Sequence, residues 1–139
     1  MEFVKILIDS NVLISAIVFD ANELEVMFHC LRKGHSLSIS EHIEDEVFRT
    51  MLDKFPEHSK LLHEFMRLGA IEIIPKEKYQ ASIDNYDIVR DKHDRHVLAS
   101  AVCADCGFIV TGDKDLLVLK SCMGVRILNA KDAIKAIKS

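Results

Sequence analysis

Acidic residues follow two of the strand-like runs in this 139-residue sequence. Asp9 comes directly after the run Phe3–Ile8, and Asp113 comes shortly after the run Phe108–Val110. In open sheets of parallel strands, ligands bind in the crevice beyond the carboxyl ends of the strands. Both positions also precede predicted helices, where Asp is a preferred N-cap. Each of these two acids is therefore either a cap or a functional group.

A third acid, Glu46, lies on the apolar stripe of a helix predicted from Glu41 to Lys54. The stripe has the i, i+3, i+4, i+7, i+8 spacing of a buried helix face and consists of Ile43, Glu46, Val47, Thr50 and Met51. We therefore expect Glu46 to face the sheet, whereas Glu44 and Asp45 are solvated. Because a buried carboxylate is costly when unpaired, Glu46 requires a cation partner or a wet cleft. The alternatives are an ion pair with a basic side chain, or a helix phase that differs by one residue.

Asp94 begins another predicted helix and has the same two interpretations as Asp9. Several acids that converge on one crevice repel one another unless a counter-charge is present. A hard divalent cation such as Mg²⁺ or Mn²⁺ supplies that charge, since both prefer oxygen ligands. Neutral oxygen ligands or hydrogen-bond donors adjoin the acids in the sequence: Ser10, Asn11 and Thr111.

Strands that alternate with helices must position these acids. Short apolar runs predict strands at Phe3–Ile8, Leu37–Ile39, Ile71–Ile74, Phe108–Val110 and Val125–Ile127. Longer periodic segments predict helices at Val12–Phe19, Asn22–Lys33, Glu41–Lys54, Glu57–Arg67, Asp94–Cys106, Lys114–Lys120 and Ala130–Ile137. Gly34 and Gly69 are predicted to end two of the helices, and Lys76–Arg90 is predicted to be a helical turn and loop. This alternation predicts an α/β fold, with a parallel sheet covered on both faces in a single domain of residues 1–139.

Composition limits the classes of function. The formal net charge is −4 and the basic residues form no run, so the protein is not one that coats nucleic acid by bulk charge. An enzyme acting on nucleic acid remains compatible with this charge, because bound cations reverse the sign of an acidic cleft. The apolar runs are too short to cross a membrane. The strand-like N-terminus differs from a signal peptide, which predicts a cytoplasmic protein.

The four cysteines include one pair with metal-like spacing, Cys103 and Cys106. A zinc site built on this pair lacks a second such pair or two nearby histidines. We expect free thiols packed in a reduced protein, with a redox or zinc role as the alternative.

Four segments of the sequence resemble the PIN-domain family, in the VapC-like branch that supplies the toxins of toxin–antitoxin pairs. The resemblance covers nearly the whole chain, and the segments occur in the order expected for the α/β alternation: residues 6–16, 40–47, 90–99 and 109–117. Any one of them is a weak pattern, but four in order are specific. The resemblance implies a three-layer α/β/α fold. It also implies that the strands before Asp9 and Asp113 are neighbours in a central parallel sheet.

The resemblance further implies a Mg²⁺- or Mn²⁺-dependent endoribonuclease. The acidic tetrad of the family corresponds to Asp9, Glu46, Asp94 and Asp113, and Asp9, Asp94 and Asp113 are the expected metal ligands. Asp115 matches an additional acid of many relatives, although a favourable charge in the first turn of a helix explains it equally well. Asp91 is interpreted as a loop residue or one that acts through its neighbours. The implied partners are RNA as substrate, an antitoxin protein, and a second copy of the chain in a homodimer.

Basic residues near the motifs have a simpler explanation. Arg49, Lys92, Arg95 and Lys114 either contact the RNA backbone or are solvated surface charges, the latter being the commoner role. His93 and His96 are interpreted as ordinary residues at the start of a helix.

Two rival functions follow from the same residues. A phosphatase of the haloacid-dehalogenase type also has an Asp after its first strand, but it needs a second Asp two residues later, where this sequence has Asn11. The other rival is a catalytically silent PIN-like module that binds RNA or protein. The complete tetrad favours the nuclease over both.

Overall fold

A six-stranded sheet forms the centre of the protein. A computed structural model describes residues 3–19, 22–68 and 70–138. The strands are β1 (Lys5–Ile8), β2 (Ser36–Ser40), β3 (Ile71–Ile74), β4 (Phe108–Val110), β5 (Ser121–Cys122) and β6 (Val125–Leu128). Their order in the sheet is β3-β2-β1-β4-β6-β5. The strands β1 and β4 are therefore neighbours, as the family resemblance implied.

Helices connect the strands and cover the sheet in a three-layer α/β/α arrangement. They are α1 (Ser10–Val18), α2 (Asn22–Arg32), α3 (Glu41–Lys54), α4 (Ser59–Arg67), α5 (Arg95–Cys103), α6 (Lys114–Leu117) and α7 (Ala130–Lys138). Short 3₁₀ turns occupy Pro56–His58, Lys76–Lys78, Gln80–Asn85 and Lys92–Asp94. The helix α2 packs against α1 and α7, and α5 packs against β4 and the 3₁₀ turn at Gln80–Asn85.

The central strands are parallel and mostly buried, as the sequence predicted. Ile8 of β1 pairs with Val110 of β4, and both side chains have no exposed surface. Strands that are apolar on both sides of the pleat require helices on both faces of the sheet. Among the described strands, only β5 differs, since it pairs antiparallel with β6. β5 was not predicted, because two residues are too few to show a period of two.

Several helix boundaries differ from prediction. The helix predicted from Asp94 begins one residue later, since Asp94 closes the 3₁₀ turn Lys92–Asp94. It also ends before Cys106, because Asp105 adopts a left-handed backbone with φ of 56°. Lys120 does the same after α6, with φ of 63°. The predicted helix Glu57–Arg67 is a 3₁₀ turn followed by α4.

Gly34 ends α2 as predicted. Its φ is 84°, and its N–H donates to Leu31 O while the N–H of His35 donates to Cys30 O. An added Cβ would lie 2.8 Å from the ring of Phe3, so the position requires glycine in conformation and in space. The end predicted at Gly69 lies outside the described residues.

The cysteines are all free thiols, as predicted, but they are not all packed. Cys30 and Cys106 are buried, and burial raises the pKa of each to about 12. Cys103 is exposed, and its thiol donates to Lys78 O at 2.9 Å. The expectation of packing was wrong for Cys103, because the helix ends at that residue.

Among the described residues, every helix falls short of the length and apolar character that a membrane span requires.

Candidate acidic metal centre

Asp9 ends β1 at the carboxyl edge of the sheet and is almost fully buried, with 6% of its surface exposed. Its Oδ1 accepts the backbone N–H of Ser10 at 2.8 Å, and its Oδ2 accepts the hydroxyl of Thr111 at 2.6 Å. Burial raises the pKa of Asp9, and these two hydrogen bonds oppose the rise. The charges of Glu46 and Asp113 raise it further. Asp9 therefore both caps α1 and faces other carboxylates.

Thr111 connects Asp9 to the loop that follows β4. Its hydroxyl oxygen accepts the N–H of Asp113 at 3.0 Å while it donates to Asp9. Asp113 is half-buried and caps α6, since its Oδ1 accepts the N–H of Asp115 at 2.8 Å. The sequence suggested that Thr111 assists Asp113, and the structure places it between both acids.

Asp94 is the most crowded of the acids. Its pKa is raised to about 7, first by burial, then by the hydrogen bond it shares with Asp113 and by the charges of Asp113, Asp91 and Asp9. The 3₁₀ turn before α5 brings it there, and this turn begins where Asp91 accepts the N–H of His93 at 3.0 Å. Asp94 is thus close to acids from both β1 and β4.

Asp115 lies on the outer side of this group. Its carboxylate makes a two-pronged ion pair with Arg90, with distances of 2.9 and 2.8 Å. This pair lowers the pKa of Asp115. Carboxylate oxygens of Asp91, Asp94 and Asp115 also lie within 4.8 Å of one another, a grouping that suits a cation. No direct role was predicted for Asp91. The available signal was its spacing of three residues from Asp94, which is one turn of 3₁₀ helix.

Glu46 does not face the core, and the expectation that it does was wrong. The buried residues of α3 are Ile43, Val47 and Met51, whereas Glu46 is exposed. Consecutive helix residues point about 100° apart, so Glu46 lies at the margin of a buried face centred on Val47. Its charge nevertheless acts on the cluster, since it raises the pKa of Asp9. The Glu46 side chain therefore lies in a solvent-exposed cleft.

The neutral residues near Asp9 differ in their contacts. Ser10 contributes its backbone N–H, and its half-buried side chain begins α1. Asn11 is exposed and lies across the loop after β4, since a Cβ on Gly112 would be 3.4 Å from its Nδ2. Two loops from neighbouring strands are therefore in contact at the carboxyl edge of the sheet.

Two histidines beside the acids were not predicted to interact. His42 and His96 stack with ring centroids 4.8 Å apart and planes 19° apart. Burial lowers the pKa of both, that of His96 to about 4. His96 is therefore more than an ordinary helix-start residue. Only the contact between α3 and α5 reveals the pair, since 54 positions separate the two residues in the chain.

The arrangement fits a divalent metal ion. Its donors are carboxylate oxygens, which Mg²⁺ and Mn²⁺ prefer. The raised pKa of Asp94 reports a crowding of negative charge that a cation relieves. Among the described residues, Asp91, Asp94 and Asp115 offer carboxylate oxygens within 4.8 Å of one another, and the charges of Asp9 and Asp113 act on Asp94.

Comparisons with known proteins agree with this architecture. In fold, the protein is similar to a chain in the crystal structure of VapBC2 from Rickettsia felis bound to a DNA fragment from their promoter, with a TM-score of 0.64 and 15% sequence identity. The alignment covers 90% of this chain and 98% of that chain. A search by sequence among curated proteins gave no match. The PIN domain family model matches residues 5–115, and the chain belongs to the PIN-domain family.

Proposed function

We propose that this protein is a metal-dependent ribonuclease that hydrolyses phosphodiester bonds of RNA at Asp9, Glu46, Asp94 and Asp113. The observation that carries the proposal is the convergence of carboxylates from separate segments, which raises the pKa of Asp94 to about 7. Crowded carboxylates destabilise a fold, so their grouping at a sheet edge favours a functional role. Membership in the PIN-domain family supports hydrolytic nuclease chemistry in general.

In this proposal, Asp9, Asp94 and Asp113 hold Mg²⁺ or Mn²⁺. A bound divalent cation supplies Lewis acidity toward the scissile phosphate and toward a water nucleophile. The Asp9 carboxylate is fixed by Thr111 and by the N–H of Ser10, so its orientation is set before any ligand arrives. Glu46 is exposed at the open side, where its carboxylate accepts a hydrogen bond from the attacking water and orients it.

The decisive experiment incubates labelled RNA with the wild type and with Asp9→Asn, in Mn²⁺ and in EDTA. We expect cleavage by the wild type in Mn²⁺ alone, and a rate at least about 100-fold lower for Asp9→Asn. Equal cleavage by the two proteins would contradict the proposal that this acidic cluster is a nuclease site. RNA that the wild type binds but leaves intact would identify the catalytically silent binding module instead.

We also propose that the protein is the cytoplasmic toxin of a toxin–antitoxin pair and forms a homodimer. Its similarity to a VapBC2 chain supports a protein partner. An apolar groove of about 320 Å³ supports the same idea, and it is lined by Ala16, Ile17, Leu24, Phe28, Leu61 and Phe65.

Expression of the wild type should arrest growth, Asp9→Asn should not, and a small protein encoded beside the gene should restore growth. Light scattering tests the dimer.

A further inference from the structure

We propose that a pocket beside the acidic cluster binds one nucleotide of the RNA strand, next to the phosphate that is cleaved. This inference rests on the proposed ribonuclease function and names a subsite within it. The pocket has a volume of about 320 Å³, and its walls include His42, Glu46, Arg49, Ile83, Lys92 and His96. This volume lies at the lower end of the range typical of ligand sites.

The pocket adjoins the acidic cluster through two of its lining segments. Glu46 belongs to both, since it lines the pocket and its charge acts on Asp9. Lys92 lies in the same 3₁₀ turn as Asp94, so one short segment contributes to both sites. A strand with a phosphate at the acids therefore carries its neighbouring nucleotide past Glu46 and into the pocket.

The pocket suits a phosphate better than the acidic cluster does, because basic side chains outnumber acidic ones in its lining. Arg49 and Lys92 are both exposed on its rim, and Glu46 is its one acidic residue. Arg49 follows Glu46 by three residues on α3, which places the two side chains on the same side of the helix. Guanidinium and ammonium groups are the usual partners of the nucleic-acid backbone.

The histidine pair suits a base. The Tyr79 hydroxyl oxygen lies 2.6 Å from Nδ1 of His42 and also accepts the backbone N–H of His42 at 3.2 Å. Tyr79 is itself buried, so it holds the His42 ring in place against His96. Within the described residues, Nε2 of His42 makes no hydrogen bond and remains for a ligand. Histidine rings stack with unpaired bases and bond to their edges in single-stranded RNA recognition.

A cationic rim combined with a fixed aromatic pair matches a nucleotide better than a peptide. An acidic peptide would use Arg49 and Lys92 but has no group that requires the stacked rings. We therefore assign the pocket to RNA, and peptide binding becomes an outcome of the test.

The test measures the affinity of a fluorescently labelled single-stranded oligoribonucleotide in Mg²⁺. All proteins carry Asp9→Asn, which prevents cleavage in the proposed mechanism. We expect His42→Ala to weaken binding about tenfold, as the loss of one base-stacking contact does. Arg49→Gln should weaken binding severalfold and reduce the slope of log affinity against log salt by about one. Lys54→Gln is the matched control, because it removes the same charge from the exposed far end of α3 and should bind as the parent does.

Tyr79→Phe and Arg49→Gln keep the test valid if His42→Ala fails to fold. Tyr79→Phe removes only the hydroxyl that orients His42, and Arg49→Gln changes only an exposed side chain. RNA affinities equal to that of the parent in both variants would overturn the proposal. The proposal would also be overturned if the oligoribonucleotide failed to bind the parent, or if an acidic peptide competed for the site with higher affinity.

Cleavage assays separate this inference from the proposed function. With Asp9 intact and Mn²⁺ present, Arg49→Gln should raise KM severalfold and leave kcat nearly unchanged, whereas Lys54→Gln changes neither. If the wild type cleaves RNA and His42→Ala and Arg49→Gln have wild-type KM, the pocket assignment fails while the nuclease proposal stands. If the wild type cleaves nothing but His42→Ala still weakens RNA binding, the nuclease proposal fails while the pocket stands.

Discussion

Thr111 is the side chain that connects two of the four acids. Its hydroxyl donates to the buried Asp9 at 2.6 Å and accepts the N–H of Asp113 at 3.0 Å, and it is itself 1% exposed. A buried hydroxyl that donates to a carboxylate and accepts from a backbone amide fixes both, and each loses this hydrogen bond when the hydroxyl is removed.

The first prediction concerns this hydroxyl. Thr111→Val should lower the free energy of unfolding by about 1–3 kcal/mol, because Asp9 and the amide of Asp113 both lose a hydrogen bond in a buried site. It should also weaken Mn²⁺ binding roughly 10-fold or more, as the loss of groups that orient metal ligands does. Urea unfolding and calorimetric titration measure the two effects. Thr50→Val, at a half-buried position outside the cluster, is the control and should leave Mn²⁺ affinity unchanged.

Arg90 is a fixed counter-charge at the edge of the acidic group. Its side chain is 80% exposed, and its guanidinium pairs with both carboxylate oxygens of Asp115. Asp115 in turn lies within 4.8 Å of Asp91 and Asp94. A metal ion bound at Asp94 would therefore compete with Arg90 for the neighbouring Asp115 carboxylate.

The second prediction follows from that competition. Arg90→Gln should strengthen Mn²⁺ binding severalfold, since it removes a positive charge and releases Asp115. The urea midpoint should hardly move, because exposed ion pairs contribute little to stability. Calorimetric titration gives the affinity and the number of ions bound. Weaker Mn²⁺ binding by Arg90→Gln than by the wild type would mean that Arg90 supports the acids instead of competing for them.

The helical phase of α3 determines which of its three consecutive acids lies next to the site. Ser40 caps the helix by accepting the N–H of Ile43 at 3.1 Å, and this fixes the position of every later residue. Ile43 and Val47 then face the core, Asp45 is directed to solvent, and Glu46 lies at the margin next to the cleft.

The third prediction tests this phase. Glu46→Gln should lower the RNA cleavage rate by about 10-fold to 100-fold, the range for loss of a group that orients a nucleophile. Asp45→Asn is its matched control, because it neutralises the adjacent exposed carboxylate and should retain nearly full activity. Both variants should unfold at the wild-type urea concentration. Equal loss of activity in the two would mean that only the net charge of the helix matters.

At the scale of the whole molecule, the acids come from segments far apart in the chain. Asp9 and Asp113 meet because β1 and β4 are neighbours, and the 3₁₀ turn before α5 adds Asp94 from the segment between them. The fold holds mutually repelling carboxylates together, so a ligand that neutralises them should stabilise all of it.

The fourth prediction is a thermal one. Mn²⁺ at about 100 times its dissociation constant should raise stability by about 2.7 kcal/mol, which corresponds to a rise of several degrees in Tm. Asp94→Asn should abolish most of this rise, while Asp53→Asn, which removes an exposed charge of α3 outside the cluster, should show it in full. Differential scanning fluorimetry in Mn²⁺ and in EDTA measures the shift. An equal rise in Asp94→Asn would place the ion elsewhere.

Local patterns in the sequence were enough to predict the α/β class, the bounds of four of the five predicted strands to within one residue at each end, and the acids that follow them. These features depend on local apolar patterns and on residues adjacent in the chain, which a single sequence displays. The prediction that β1 and β4 are neighbours came from the family resemblance, because strand order depends on contacts between distant segments.

The positions of the acids relative to one another depend on the packing of distant elements, so they became visible in the folded structure. It placed Glu46 in a cleft instead of the core, since a helical stripe defines its own margin only when packed against its neighbours. It grouped Asp91 with Asp94 and Asp115, and it stacked His42 on His96. Each of these contacts joins different elements, so its geometry is set by packing of the whole sheet and its helices, which no local pattern records.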